Sequence, residues 1–400
     1  MTFLATESSA FINKTDRNRL LFFPMNGKNL FPYTSRRQFL KSLAAGSILA
    51  TSGPLAGFAA HHGKKKLKLG YDNFAVRAMN WMVEDHLMYS EKLGIDSLFM
   101  SDLEHFKSLD SSYLKDVRKK AEDMGIDIHV GTWSICPTST TFRDTWGTAE
   151  EHLRLSIRVA QDLGSPVIRV ILGNRDDRKT EGGIMARIKD TAKVCRTCRS
   201  QAMDSGIKIA MENHAGDMQA WEVVTLIEEA GGTDYMGANL DAGNASWTVE
   251  DPLENLEVLG PYAATTSLRD SAIWLSENGT TIQWTAMGKG MVDWNTYFAK
   301  FSRICPEVPV HIETISGFNR EIPIFQDDFW PAYAEVKGST LARYLRWART
   351  GQTREPWKPP VGTNGDRADH NKDKATQDYQ KAEIEESIRY CKSIGLGFKA

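Results

Sequence analysis

Short apolar runs with alternating side chains recur along the chain at residues 67–73, 97–101, 126–133, 166–172, 208–212, 236–241, 263–270 and 308–314. Successive side chains of a strand face opposite ways, so these runs read as β-strands. Between them lie longer stretches at 80–93, 112–124, 149–163, 184–205, 220–230 and 294–303 whose apolar residues return every three or four positions. That spacing gathers one stripe on one face of a helix. Leu93-Gly94, Met124-Gly125 and Leu163-Gly164 supply the glycine that ends a helix in a left-handed turn. Strands and helices alternating eightfold predict a parallel sheet closed into a (β/α)8 TIM barrel. A doubly wound sheet needs a glycine-rich phosphate turn after an early strand. Gly288-Lys289-Gly290 lacks both the third glycine and the strand, so it reads as a loop.

The pattern changes at both ends. Residues 329–350 are expected to close the barrel as its last helix, 355–374 read as a charged, Pro/Gly-rich exposed linker, and 375–393 as a C-terminal helical extension. The domain organisation expected is therefore an N-terminal segment over 1–60, a barrel over 66–350, and a linker with a helix packed on the barrel over 351–400. Within the first segment, Ser35-Arg36-Arg37-Gln38-Phe39-Leu40-Lys41 precedes a weakly apolar run over 43–60, too short and too rich in Gly, Ser and Ala for a membrane span. It resembles a twin-arginine export signal with cleavage near Ala59 or Ala60, implying a periplasmic or exported protein. Such a signal normally begins closer to its arginines, which makes Met25 a candidate start.

Composition narrows the partners. Four hundred residues with 41% apolar and 25% charged side chains suffice for one large, well-buried domain. Of 49 basic and 51 acidic side chains, seven and two lie in residues 1–60, so the remainder carries 42 against 49, a net of −7. An acidic body opposes a nucleic-acid partner. Once the signal is removed nothing predicts stable membrane insertion, and a homo-oligomer stays open. Cys136, Cys195, Cys198, Cys305 and Cys391 make an odd count with no second CxxC, and Cys195 and Cys198 read as ordinary helix residues.

Three carboxylates stand where strands give way to loops: Glu212 in IKIAMENHAG, Asp241 in MGANLDAGN and Glu313 in VPVHIETISG. That is the end of a barrel where chemistry is kept. In AATTSLRD, Ser267 and Arg269 share a strand face. The ENHAG, LDAGN and HIET phrases, with S-L-R-D where relatives show H-x-K/R-D, resemble the xylose-isomerase-like barrel superfamily of sugar isomerases and epimerases over residues 66–345. RDSAIW, QWTAMGKGMVDW and EIPIF, with the twin-arginine segment, are similar to its exported branch, described as sugar phosphate isomerase/epimerase-like.

The resemblance implies metal ligands at Glu212, Asp241, Glu313 and the position of Ser267. It also implies that Glu212 and Glu313 move protons on opposite faces of a sugar carbon. A divalent ion on a carbonyl and its neighbouring hydroxyl stabilises the enediolate formed when a carboxylate removes the adjacent proton. Ser267 stands where relatives carry histidine, and a hydroxyl or water in place of imidazole favours Mn2+ or Mg2+ over Zn2+. His214, Asn244 and Arg269 suit sugar hydroxyls, as does Asn174, and Trp133, Trp247 and Trp284 offer flat apolar faces for a pyranose ring. His129 and His311 are expected deep in the barrel or facing helices.

The function expected is isomerisation or epimerisation of a keto-sugar or oxidised glycoside, with β-elimination in the same site as an alternative chemistry. Phosphorylated sugars fit poorly outside the cytoplasm. A non-catalytic sugar-binding barrel is the rival, since Ser267 would mark lost catalysis. An apurinic-site endonuclease on this barrel needs several histidine ligands and a basic groove, which the chain lacks.

Overall fold

A computed structural model describes residues 66–316, 319–358 and 373–399. The export segment expected over 1–60, and most of the linker, lie outside them. Eight parallel strands form one sheet: β1 (Leu69–Asp72), β2 (Ser97–Met100), β3 (Asp127–Ser134), β4 (Val167–Ile171), β5 (Lys208–Glu212), β6 (Met236–Leu240), β7 (Ala263–Thr266) and, after two further strands, β10 (Val310–Ile312). Their order is β10-β1-β2-β3-β4-β5-β6-β7. A bridge between Leu268 and Ile312 joins the two edges: Leu268 N–H donates to the His311 carbonyl at 2.8 Å and Glu313 N–H to the Leu268 carbonyl at 2.9 Å. The fold is a (β/α)8 TIM barrel.

The helices form where their stripes predict. Ala149–Leu163 buries Leu153, Ile157 and Ala160. It starts at a capping box in which Thr148 Oγ1 accepts from Glu151 N–H at 3.2 Å and Glu151 Oε2 from Thr148 N–H at 2.8 Å. Gly164, at φ 71°, ends it. The stretch expected as one helix over 184–205 divides at Cys198 into Gly183–Thr197 and Arg199–Ser205. All five cysteines are free and buried, and burial pushes the Cys198 thiol up to about 11.

The run expected over 263–270 also divides. β7 stops at Thr266, and Asp270 starts β8 (Asp270–Ser276), which pairs antiparallel with β9 (Gly279–Thr285), itself paired with β11 (Asn319–Ile322). Asp270 fixes this turn out of the barrel. Its carboxylate accepts from the N–H groups of Ser271, Gly288, Gly290 and Val292 at 2.8–3.3 Å, so one side chain satisfies four loop donors. The helix Lys374–Ser393 lies against the turn after β1, where Gln380 Oε1 accepts from Ala78 N–H at 2.9 Å. No helix among the described residues is long and apolar enough to cross a membrane.

His129 and His311 lie inside the barrel, both buried, with ring centroids 4.9 Å apart. Thr265 links them, its Oγ1 lying 2.9 Å from His129 Nδ1 and 3.4 Å from His311 Nδ1. Burial pushes His129 down to about 4 and His311 well below its ordinary value. Between about pH 6.5 and 4 the unfolded chain therefore binds a proton at His129 that the folded chain refuses, and stability falls as pH falls. A shift of this size is worth about 3 kcal/mol. Denaturant midpoints for His129→Gln and the parent, at pH 7.5 and 4.5, should show the variant losing about 2–3 kcal/mol less on acidification. Equal losses would contradict the assignment.

Candidate active site

Four carboxyl groups converge at the carboxyl ends of the barrel strands: Asp72 closing β1, Glu212 closing β5, Asp241 just after β6 and Glu313 just after β10. All are buried, as are Ser267, Arg169 and Arg269. The two arginines organise them. Arg269 Nη2 donates to both Asp241 Oδ2 and Glu313 Oε2. Arg169, on β4, places Nε 2.8 Å from Glu212 Oε2. Asn239 Nδ2 donates to Glu212 Oε2 at 2.8 Å, and Asn244 Nδ2 reaches Glu212 Oε1 at 3.2 Å and Asp241 Oδ2 at 2.6 Å. Asp241 Oδ1 also accepts from the N–H groups of Gly243 and Asn244 at 2.8 and 2.9 Å.

Four carboxyl groups against two guanidinium groups leave an excess of negative charge in a dry place. Burial accordingly raises Asp241 to about 7 against the pull of Arg269, and raises Asp72 and, far more, Glu313. Glu212 has other partners: Asn239 Nδ2 and Asn244 Nδ2 donate to its two oxygens, and the Arg169 guanidinium lies 2.8 Å from one of them. Glu212 and Glu313 thus each face a guanidinium, and burial lifts Glu313.

The residues expected to hold a divalent ion do not fit one in this arrangement. Among the described residues no group of three or more His, Cys, Asp or Glu side chains is disposed to hold a metal. The guanidinium of Arg269 stands between Asp241 and Glu313, and Arg169 with two asparagines occupies Glu212. Ser267 Oγ donates to Asp72 Oδ2 and accepts from Asn239 Nδ2, each at 3.2 Å.

The expected sugar platforms are differently employed. Trp247 and Trp284 stack on each other at 4.1 Å and 4°. Arg320 covers the outer face of Trp247 at 4.3 Å, and Arg269 covers the outer face of Trp284 at 4.4 Å. The stack holds Arg269 in place, one guanidinium on each side of the pair. Trp133 is half-buried, donates from Nε1 to the Thr141 carbonyl at 2.9 Å and meets His214 edge-on at 5.6 Å. His214 Nδ1 donates to the Gly173 carbonyl at 2.7 Å, and burial lowers its pKa, so the neutral ring keeps Nε2 as an acceptor. Asn244 joins the cluster, whereas Asn174 caps the turn that follows β4, accepting from Asp176 N–H at 2.7 Å.

Asp72, Arg169 and Asn239 escaped the sequence reading. Asp72 ends the first strand as Glu212 ends the fifth, the same signal on a shorter run. Arg169 is a charge in the middle of VIRVI, and a charge in a two-sided apolar strand needs a buried partner.

Residues 89–326 match the family model described as xylose isomerase-like TIM barrel. Among solved structures, a D-psicose 3-epimerase determined in the presence of D-fructose is 14% identical with a TM-score of 0.52, covering 83% of this chain and 100% of its own. A xylose isomerase domain protein from Planctomyces limnophilus is 18% identical with a TM-score of 0.49, covering 70% and 95%. The IOLI protein with a binding zinc atom is 14% identical with a TM-score of 0.48, covering 70% and 96%. Likeness at these identities is likeness of fold. No curated protein matches the chain in sequence.

Proposed function

The chain belongs to the xylose isomerase-like TIM barrel family, and we propose that it is an isomerase or epimerase moving a proton at a carbon beside the carbonyl of a keto-sugar. One observation carries the reading: Glu212 and Glu313 share a buried centre, each facing a guanidinium, with that of Arg269 beside Glu313. The Glu212 carboxylate takes the proton from carbon, and the electron pair left behind moves onto the carbonyl oxygen. The developing negative charge meets Arg269, whose positive charge is fixed before the reaction begins. Glu313, whose pKa burial raises, delivers a proton to the opposite face of the same carbon, giving the epimer, or to the neighbouring carbon while the enediolate's hydroxyl proton passes to the former carbonyl oxygen, giving the isomer. Proton and electron pair are then both accounted for: Glu212 ends as the acid and Glu313 as the carboxylate, and exchange with water resets them. Nε2 of His214 and the amide of Asn244 are the groups proposed to hold substrate hydroxyls.

Oxidised glycosides suit this chemistry because a ring ketone acidifies the adjacent C–H. Neither a metal nor a phosphate is assigned a step. The test is a panel of ketohexoses and keto-glycosides incubated with the protein in deuterated water and followed by NMR. Deuterium should enter one carbon next to the carbonyl of at least one substrate, with or without a chelator. A panel that stays unlabelled would overturn the proposal.

A further inference from the structure

A second space opens on the same face of the barrel. A cleft of about 330 Å3 lies over the β4 to β6 side, walled by Arg175 and Lys179 after β4, by Trp247 after β6, by Arg320 on β11 and by Phe329 and Tyr333. Its volume falls within the range of small-molecule sites, about 300–1,000 Å3. It adjoins the carboxyl cluster through the aromatic stack: Arg320 on its wall covers Trp247, Trp247 covers Trp284, and Trp284 covers Arg269. The wall formed by 327–333 is held firmly, since Phe329 stacks on Tyr333 at 4.6 Å and 11°, and the Arg178 guanidinium packs 4.1 Å from the Tyr333 ring.

The lining says what the cleft takes. Its basic side chains, Arg175, Lys179 and Arg320, meet Asp176 and Asp328, while the Glu321 carboxylate is held by Ser276 and Asn278, so the rim is within one charge of balance and an anion finds no cluster of cations. An uncharged polyol, whose hydroxyls both donate and accept, suits such a balanced rim. The half-buried Phe329 adds apolar surface to which the C–H face of a sugar packs.

We propose that this cleft binds an uncharged glycosyl unit, so that the substrate is a keto-glycoside whose oxidised ring lies at Glu212 and Glu313 and whose second ring fills the cleft. This rests on the proton-transfer reading of the carboxyl cluster. It goes beyond it by excluding free keto-monosaccharides as preferred substrates.

The experiment has a kinetic arm and a binding arm. In the first, kcat/KM for deuterium exchange is compared between a keto-disaccharide and the matching methyl keto-glycoside, for the parent, Phe329→Ala and Arg175→Ala. The parent should favour the disaccharide by about tenfold or more, the size expected when one group of a substrate gains a pocket. Each variant should lose most of that preference while keeping its rate on the methyl glycoside. Arg175 is exposed, so its variant reports on the cleft even if Phe329→Ala folds poorly. In the second arm, cellobiose, methyl glucoside and a glucuronide-bearing disaccharide are titrated calorimetrically. Cellobiose should bind best to the parent and lose affinity in both variants. Equal affinity for cellobiose and methyl glucoside, or preference for the uronate, would overturn the proposal. Cellobiose binding of the expected kind without exchange on any keto-sugar would sink the proton-transfer reading and leave the cleft assigned.

Discussion

Glu212→Gln and Glu313→Gln are each expected to lower solvent-deuterium exchange at the substrate carbon by about 10²–10⁴-fold, the range lost when a positioned acid or base is removed. Glutamine keeps the size of either side chain and cannot carry the proton. The two variants should differ in stability, and the difference tests their roles. Burial raises Glu313, and its partner Arg269 keeps Asp241 as a second anion, so an amide at 313 leaves that guanidinium paired. Glu212 faces Arg169 at 2.8 Å in a buried place, and its amide leaves that guanidinium without its anion. Breaking a buried ion pair from one side costs about 3–5 kcal/mol, so Glu212→Gln should unfold at clearly lower denaturant while Glu313→Gln stays near the parent. Exchange retained in both would remove the catalytic assignment. A larger stability loss in Glu313→Gln would reverse the acid and base.

Much of this centre was legible because a barrel confines its chemistry to strand ends, and strand ends can be read from where alternation stops. Glu212, Asp241 and Glu313 each close such a run, and Ser267 and Arg269 share an inward face by the two-residue period alone. Contacts that depend on how loops fold back were not legible. Trp247 and Trp284 come from a turn after β6 and from an antiparallel ribbon, and no periodicity ties their registers together. The start of the ribbon was hidden at the end of one run, since the strand read over 263–270 leaves the sheet after Thr266 and Asp270 already begins the ribbon. The break at Cys198 left no mark either, because Cys195, Cys198 and Ala202 stay buried along one stripe through the kink. Arg169 was not legible in that way, because one cation in an apolar strand does not name its partner, and only the closed barrel brings Glu212 to it.

Arg269→Ala is expected to cost both activity and stability, and the pattern of rescue identifies what the guanidinium does. It donates to Asp241 and Glu313 together and lies under Trp284 at 4.4 Å, so alanine leaves two buried carboxyl groups sharing an empty space. The loss should reach about 3–5 kcal/mol, softened to the extent that protons replace the missing charge. Since burial already lifts Asp241 to about 7, that replacement grows as pH falls, and the variant's deficit should be smaller at pH 5.5 than at pH 8. Exchange activity should fall by about 10²–10³-fold, as when a preorganised oxyanion donor is removed. Arg269→Lys keeps a charge without the planar fork and should recover stability more fully than activity. Millimolar guanidinium, far below denaturing concentrations, should restore part of the exchange in Arg269→Ala. A parent protein that holds one tightly bound divalent ion per chain, loses exchange to a chelator and regains it with that ion would overturn this role. In that case Arg269 would serve the ligands and the ion would meet the carbonyl oxygen.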